Sequence, residues 1–186
     1  LTSVRLAPFG VNLRAVRRSP WDTTNEDDAA GAALLSGRGE SATDLTAMLG
    51  EADAVVLACN QTAENRGMVD DGFLSAMSPG STLVNVARGG LLNRDAILRA
   101  LESGHLAYLA SDVAWVEPVD PEDPLVNHPN AYFTPHVGGV TDVSYDCMGG
   151  IVAEEAKNVL KGRRHGDHVM VVNAEAAGAV RTAEEN

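Results

Sequence analysis

The sequence predicts an α/β domain built on a doubly wound parallel sheet, and three observations carry that expectation. Short apolar runs at Val11 to Val16, Asp53 to Ala58, Thr82 to Val86, Leu109 to Val113 and Ala131 to Phe133 alternate with stretches of helical character. Apolar residues make up 45% of the 186-residue chain and aromatics only 4%, so the core must come from Val, Leu, Ala and Ile. That composition suits a parallel sheet buried on both faces. Finally, three of the runs are each followed by a charged or titratable residue: Arg88 after TLVNV, Glu117 after LASDV and His136 after AYF. Ligands of open parallel sheets sit outside the carboxyl ends of the strands, so a cation, a carboxylate and an imidazole would share one crevice.

Taken in order, Leu1 to Phe9 reads as the end of a helix closed by Gly10, followed by the strand Val11 to Val16. Ser19 to Gly39 is rich in Pro, Gly, Ser, Thr and acid with little periodicity, and reads as a long surface loop with one weak helix around Ala29 to Leu35. Ser41 followed by Asp44 is a helix-start signal for Asp44 to Leu49. A further helix spans Asp70 to Met77, stopped by Pro79-Gly80, and Asn93 caps Asp95 to Glu102 with Gly104 as the stop. A longer helix from Asp142 to Leu160 carries Met148, Val152, Ala156 and Val159 on one face, and either packs on the sheet or contributes to a dimer surface.

Charge and composition narrow the function. The formal net charge of −12 argues against a nucleic-acid or anionic-membrane surface, although much of it lies in Asp22 to Glu51 and in the tail from Glu175. It does not bear on a small anionic substrate, which responds to local charge. No apolar run approaches the length of a membrane span. Cys59 and Cys147 lack framework spacing and read as two free thiols in a reducing compartment, cytoplasmic or organellar, and no metal cluster is visible.

The residue types of the crevice define a chemistry. An arginine fork can meet carboxylate or carbonyl oxygens with two hydrogen bonds, and an imidazole exchanges protons near neutral pH. A carboxylate beside that imidazole favours its protonated form. Such a set fits reduction of a 2-keto acid, in which the forming alkoxide needs a proton and a cofactor must supply hydride. A solvated Arg and a core His are the bland alternatives for each residue alone.

Four stretches add context: Leu83-Val-Asn-Val-Ala-Arg-Gly-Gly-Leu-Leu92, Ser103-Gly-His-Leu106, Asp112-Val-Ala-Trp-Val-Glu-Pro118 and Thr134-Pro-His-Val-Gly-Gly139. Together, and in this order, they resemble the D-isomer-specific 2-hydroxyacid dehydrogenase family, which includes phosphoglycerate dehydrogenases, glyoxylate and hydroxypyruvate reductases and D-lactate dehydrogenases. The resemblance covers Leu1 to Asn173 and implies a Rossmann-like fold. It also implies that Arg88 binds substrate, His136 is the acid/base and Glu117 supports it. On the cofactor side it implies Val86, Ala87, Arg88 and His136 along the nicotinamide, Asp112 on its carboxamide, and Gly138 and Gly139 where backbone approaches the dinucleotide. Thr62 matches a family Thr that often follows a Pro-Leu pair, here replaced by Cys59-Asn60-Gln61. Asp112 also reads as a turn or capping acid, and Trp115 as a packing residue. The family usually dimerises through this domain, so a homodimer is expected.

Cofactor choice rests on the end of the strand at Val16. An acid there would bind the ribose hydroxyls of NAD, whereas arginine accommodates the additional phosphate of NADP. Arg17, Arg18 and Ser19 stand at this point, so NADP is expected over NAD. No G-x-G-x-x-G occurs in the chain, and the expectation is a fragment of a longer protein. Residues 1–165 then form a partial dinucleotide-binding domain lacking the first strand and glycine loop, 166–173 return toward a missing substrate domain, and 174–186 form a disordered tail. A second functional class remains open, a non-catalytic dinucleotide sensor or protein-binding module of the same fold.

Overall fold

The computed structural model describes residues 6–17 and 32–162. These fall into two units, the first ending at Gly138 and the second starting at Gly139. The first holds two all-parallel ladders. Strand β1 (Arg14–Val16) pairs with β2 (Gly37–Gly39), and β3 (Ala54–Leu57), β4 (Ser81–Asn85), β5 (Leu106–Ser111) and β6 (Ala131–Phe133) pair in chain order. Among the described residues no ladder joins the pair to the four-stranded sheet.

The register of the larger sheet sets the site. Leu57 lies opposite Asn85, Asn85 opposite Ser111, and Ser111 opposite Phe133, so the carboxyl ends of all four strands finish level. The chain segments that leave them emerge side by side. The register also matches Leu83 with Leu109, and both are fully buried against a helical layer.

Each helix of that layer begins on a specific cap. Ser41 accepts from Asp44 N at the start of α1 (Ala42–Leu49), and the Asp44 carboxylate accepts in return from Ser41 N at 3.0 Å. Asp70 accepts from Phe73 N to start α2 (Asp71–Ala76), and Asn93 accepts from Ala96 N to start α3 (Arg94–Glu102). The apolar stripe of α3, Ala96, Ile97, Ala100 and Leu101, is buried in one cluster with Leu74 and Met77 from around α2 and with Leu106 and Leu109 of β5. Gly104, at φ 74°, turns the chain out of α3 in a conformation that a side chain resists.

One element departs from the sequence reading. The segment from Ser19 to Gly39 is expected to be loop, yet Gly37–Gly39 is a strand. Gly-Arg-Gly carries no strand signature, and its conformation comes from pairing with β1, a tertiary contact that overrides local preference. Gly39 is small because a Cβ there would meet the Asp44 Cβ at 2.4 Å. Of the helix expected around Ala29 to Leu35, the described part is a single turn in which Leu35 N donates to Ala32 O at 3.1 Å. The second unit holds α4 (Asp142–Leu160), capped by Thr141, which accepts from Ser144 N at 3.1 Å. No helix among the described residues is long and apolar enough to cross a membrane. The return segment and tail expected over 166–186 lie outside the described residues.

Candidate active site at the carboxyl ends of the strands

The turn bearing Arg88 is shaped from beneath by one buried amide. Asn85, the last residue of β4, is fully buried, its Oδ1 accepting from Ala87 N at 3.0 Å and its Nδ2 donating to Arg88 O at 3.0 Å. A buried amide is tolerated when donor and acceptor are both satisfied, and here they are satisfied by the turn itself. Ser111, the register partner on β5, plays the same part by donating to Val113 O at 2.7 Å. Arg88 is exposed at its tip, with Nη1 donating to Ala87 O at 2.7 Å.

Glu117 and His136 meet. His136 Nδ1 lies 2.8 Å from Glu117 Oε2, and Glu117 Oε1 accepts from Ala114 N at 2.9 Å. A ring nitrogen facing a carboxylate carries its proton, so the Nδ1–H donates to Glu117 and Nε2 is left for other partners. Both side chains remain nearly half exposed. The bond to His136 holds the Glu117 carboxyl below its ordinary range, with help from Ala114 N and from the charges of His136 and Arg88. The three groups chosen from the sequence therefore lie within electrostatic reach of one another. His136 also adopts φ 57°, a left-handed conformation that side chains avoid and that costs about 1–3 kcal/mol where the surroundings impose it.

Asp112 supplies that imposition. Its carboxylate accepts from the Thr134 hydroxyl, from Val137 N at 3.0 Å and from Gly138 N at 2.8 Å, clasping the loop on both sides of His136. The Thr134 bond is the main reason its carboxyl sits below the usual range, with smaller help from the two amides and the His136 charge. Gly138 is glycine because a Cβ would come within 2.8 Å of Asp112 Oδ2, whereas around Gly139 there is open space.

The remaining candidates follow strands β1, β3, β4 and β5 in the chain. Val86 is 57% exposed just past β4, and Ala87 beside it is buried. Thr62 N is held by Asn65 Oδ1 at 2.7 Å, while its own hydroxyl oxygen is buried without a hydrogen-bond partner. Trp115 packs edge-on against Phe133, with ring centroids 5.8 Å apart. Arg17 follows β1 and is half buried, its backbone N donating to Gly39 O at 3.1 Å. Arg18 and Ser19 lie outside the described residues.

Residues 2–138 match the family model of the D-isomer specific 2-hydroxyacid dehydrogenase NAD binding domain. The chain belongs to this family. It is 30% identical over 161 residues to D-3-phosphoglycerate dehydrogenase 2 of Arabidopsis thaliana, covering 87% of the chain and 24% of that protein. With glyoxylate/hydroxypyruvate reductase A of Serratia proteamaculans it shares 31% identity over 137 residues, 74% of the chain and 41% of the relative. A D-isomer specific 2-hydroxyacid dehydrogenase from Xanthobacter autotrophicus Py2, solved with NADPH and MES, superposes with a TM-score of 0.73 at 27% identity, covering 90% of this chain and 64% of that one. The chain thus spans less than half the length of these two curated relatives.

For a member of this 2-hydroxyacid dehydrogenase family the implied cofactor is a nicotinamide dinucleotide, and two observations fit its nicotinamide end. The unpartnered Thr62 hydroxyl offers a buried polar atom, and exposed Val86 offers an apolar surface. Residues that sequence reasoning passes over complete the site. Asn85 stands out in hindsight as the one amide within an otherwise apolar run. Gly89 is required because a Cβ there would come within 1.9 Å of Ala114 O, so the turn of Arg88 lies directly on the segment that leads to Glu117. Thr134, the partner of Asp112, carries no such signal.

Proposed function

We propose that the protein carrying this chain reduces a small 2-keto acid, such as glyoxylate or hydroxypyruvate, to the 2-hydroxy acid, with NADP preferred over NAD. The observation that carries this reading is the Glu117–His136 bond formed beside Arg88 at the level ends of a parallel sheet. The nicotinamide cofactor supplies the hydride that no side chain can deliver. Arg88 orients the substrate carboxylate and polarises the ketone oxygen by charge-assisted hydrogen bonds. As the ketone carbon accepts hydride, His136 Nε2 donates a proton to the ketone oxygen, giving the neutral hydroxyl and leaving the ring neutral. Glu117 keeps the ring in the tautomer with Nδ1–H, leaving Nε2 for the substrate. Asp112 holds the loop that aims the ring.

Thr62, Val86 and Ala87 would hold the nicotinamide half, and Asp112 its carboxamide. The NADP preference is supported by Arg17 at the end of β1, by Arg18 and Ser19 next in sequence, and by the NADPH present in the Xanthobacter structure. In the doubly wound order a strand belongs between β1 and β3, which no ladder joins among the described residues, and the glycine turn that cradles pyrophosphate follows that strand. No G-x-G-x-x-G occurs in these 186 residues. The isolated polypeptide is therefore expected to bind dinucleotide poorly and to turn over nothing, and micromolar NADPH binding by it alone would contradict this.

The test of the catalytic assignment is His136→Asn in the full-length protein. It should lower the rate of 2-keto-acid-dependent NADPH oxidation by about 10²–10⁴-fold, the usual worth of a general acid. An unchanged rate would remove His136 from the chemistry. A full-length protein that binds NADPH and reduces no 2-keto acid would favour the sensor reading.

A further inference from the structure

The segment carrying Glu117, residues 112–130, crosses from β5 to β6 without helix or strand and must be fastened by side chains. Arg94 is the fastening. Its Nε and Nη2 donate to the two carboxylate oxygens of Asp123 at 2.8 and 2.6 Å, a bidentate pair, and its guanidinium lies 5.8 Å from the centre of the Trp115 ring. Trp115 precedes Glu117 and Asp123 follows it, so one side chain grips the loop on both sides of the carboxylate. Asp123 passes the grip on, since its Oδ1 also accepts from Leu125 N at 2.8 Å, and Leu125 is fully buried.

Arg94 is itself tied to the other half of the site. It is the first residue of α3, directly after the turn that holds Arg88 and after Gly89, whose backbone lies on Ala114. A cation in the first turn of a helix opposes the helix dipole, so helix stability does not account for an arginine here. The Asp123 side chain is only 11% exposed and that of Arg94 27%, so losing Arg94 leaves the Asp123 carboxylate without its cation, whereas Arg94 keeps a second partner in Asp95, to whose Oδ1 its Nη1 donates at 2.6 Å.

Resting on the reductase reading above, we infer that Arg94, through its fork on Asp123 and its stacking on Trp115, is a positioning residue that holds Glu117 against His136 in register with Arg88. It touches no reacting atom. Its effect on turnover passes through Glu117.

A double-mutant cycle on the full-length enzyme tests this. Arg94→Leu should lower kcat roughly fivefold or more in the parent but less than about twofold in the Glu117→Gln background, because the interaction it protects is already gone. Asp123→Asn, which keeps shape and weakens the fork, should show the same dependence with a smaller effect, and it carries the test if Arg94→Leu does not fold. Losses that multiply equally in both backgrounds would overturn the inference. The low-field proton signal of His136 Nδ1–H provides a readout that needs no turnover. It should be present in the parent, absent in Glu117→Gln and lost or broadened in Arg94→Leu or Asp123→Asn. A signal that persists unchanged in those two variants would refute the positioning role even if no 2-keto acid proved to be a substrate, whereas inactivity of the parent refutes only the reductase reading.

Discussion

The two ladders of the first unit are built to different standards. At the ends of β4, β5 and β6 the three catalytic candidates are positioned by named bonds: Arg88 sits on a turn formed by Asn85, Glu117 lies between Ala114 N and His136, and His136 stands in a loop clasped by Asp112. The β1–β2 pair consists of two three-residue strands whose residues are mostly exposed or half buried. If the proposed function holds, the two regions would carry different burdens. Proton transfer and ketone polarisation require atoms fixed to a fraction of an ångström, whereas discrimination between NAD and NADP needs only the right charge near a phosphate.

If so, substitutions at the dense end should act through rate and stability, and those at the sparse end through cofactor preference alone. The largest effect is expected at Arg88. Arg88→Met keeps the length of the side chain but removes the fork, and should lower kcat/KM for 2-keto acids by about 10²–10³-fold, as loss of an oxyanion donor does elsewhere. Steady-state NADPH oxidation measures it, and a loss below tenfold would show that the fork is not on the substrate.

Asn85→Leu comes next. It leaves Ala87 N without a partner and Arg88 O with Leu91 N alone, and puts an apolar group where the fully buried amide shaped the turn, which should cost about 1–3 kcal/mol of stability. Urea unfolding of the full-length protein would show this as a lowered midpoint, and an unchanged midpoint would mean that water or another group satisfies the turn.

Acid should weaken the dense end. Asp112, Glu117 and Asp123 all have carboxyls held below their ordinary range, so their contributions are fully present above about pH 4–5 and disappear as pH falls through the lowered values. The urea midpoint should drop on the acid side, with a shallower drop in Asp112→Asn. An equal slope in that variant would assign the acid loss to other carboxylates.

The smallest effect belongs to the sparse end. Arg17→Ala combined with Arg18→Ala should raise KM for NADPH about tenfold with little change for NADH or in kcat, as expected for removing phosphate contacts. A fall in kcat with both cofactors would dissolve the distinction between the two regions.

Most of the fold is legible in the sequence because its signals are local. The alternation of apolar runs and helices is one such signal, and the capping residues Ser41 with Asp44, and Asn93, act within a few residues of themselves. Strand β2 is not legible, because Gly37–Gly39 becomes a strand only through its pairing with β1. Arg88, Glu117 and His136 are recognisable because each follows a strand in a family motif. The residues that hold them are not, because Arg94 with Asp123, Gly89 with Ala114 and Asp112 with Thr134 pair across segments whose approach is set by the sheet register. Gly138 shows the limit well. Its resemblance-based role is close approach to a dinucleotide, and the geometry adds a second demand, room for the Asp112 carboxylate.

The central claim, that this crevice reduces a 2-keto acid, is tested most directly by NADPH oxidation in the full-length protein against glyoxylate, hydroxypyruvate and phosphorylated hydroxypyruvate. Saturable turnover of at least one of them, with formation of the matching 2-hydroxy acid, is the predicted result. Tight NADPH binding with no oxidation by any of the three would contradict it.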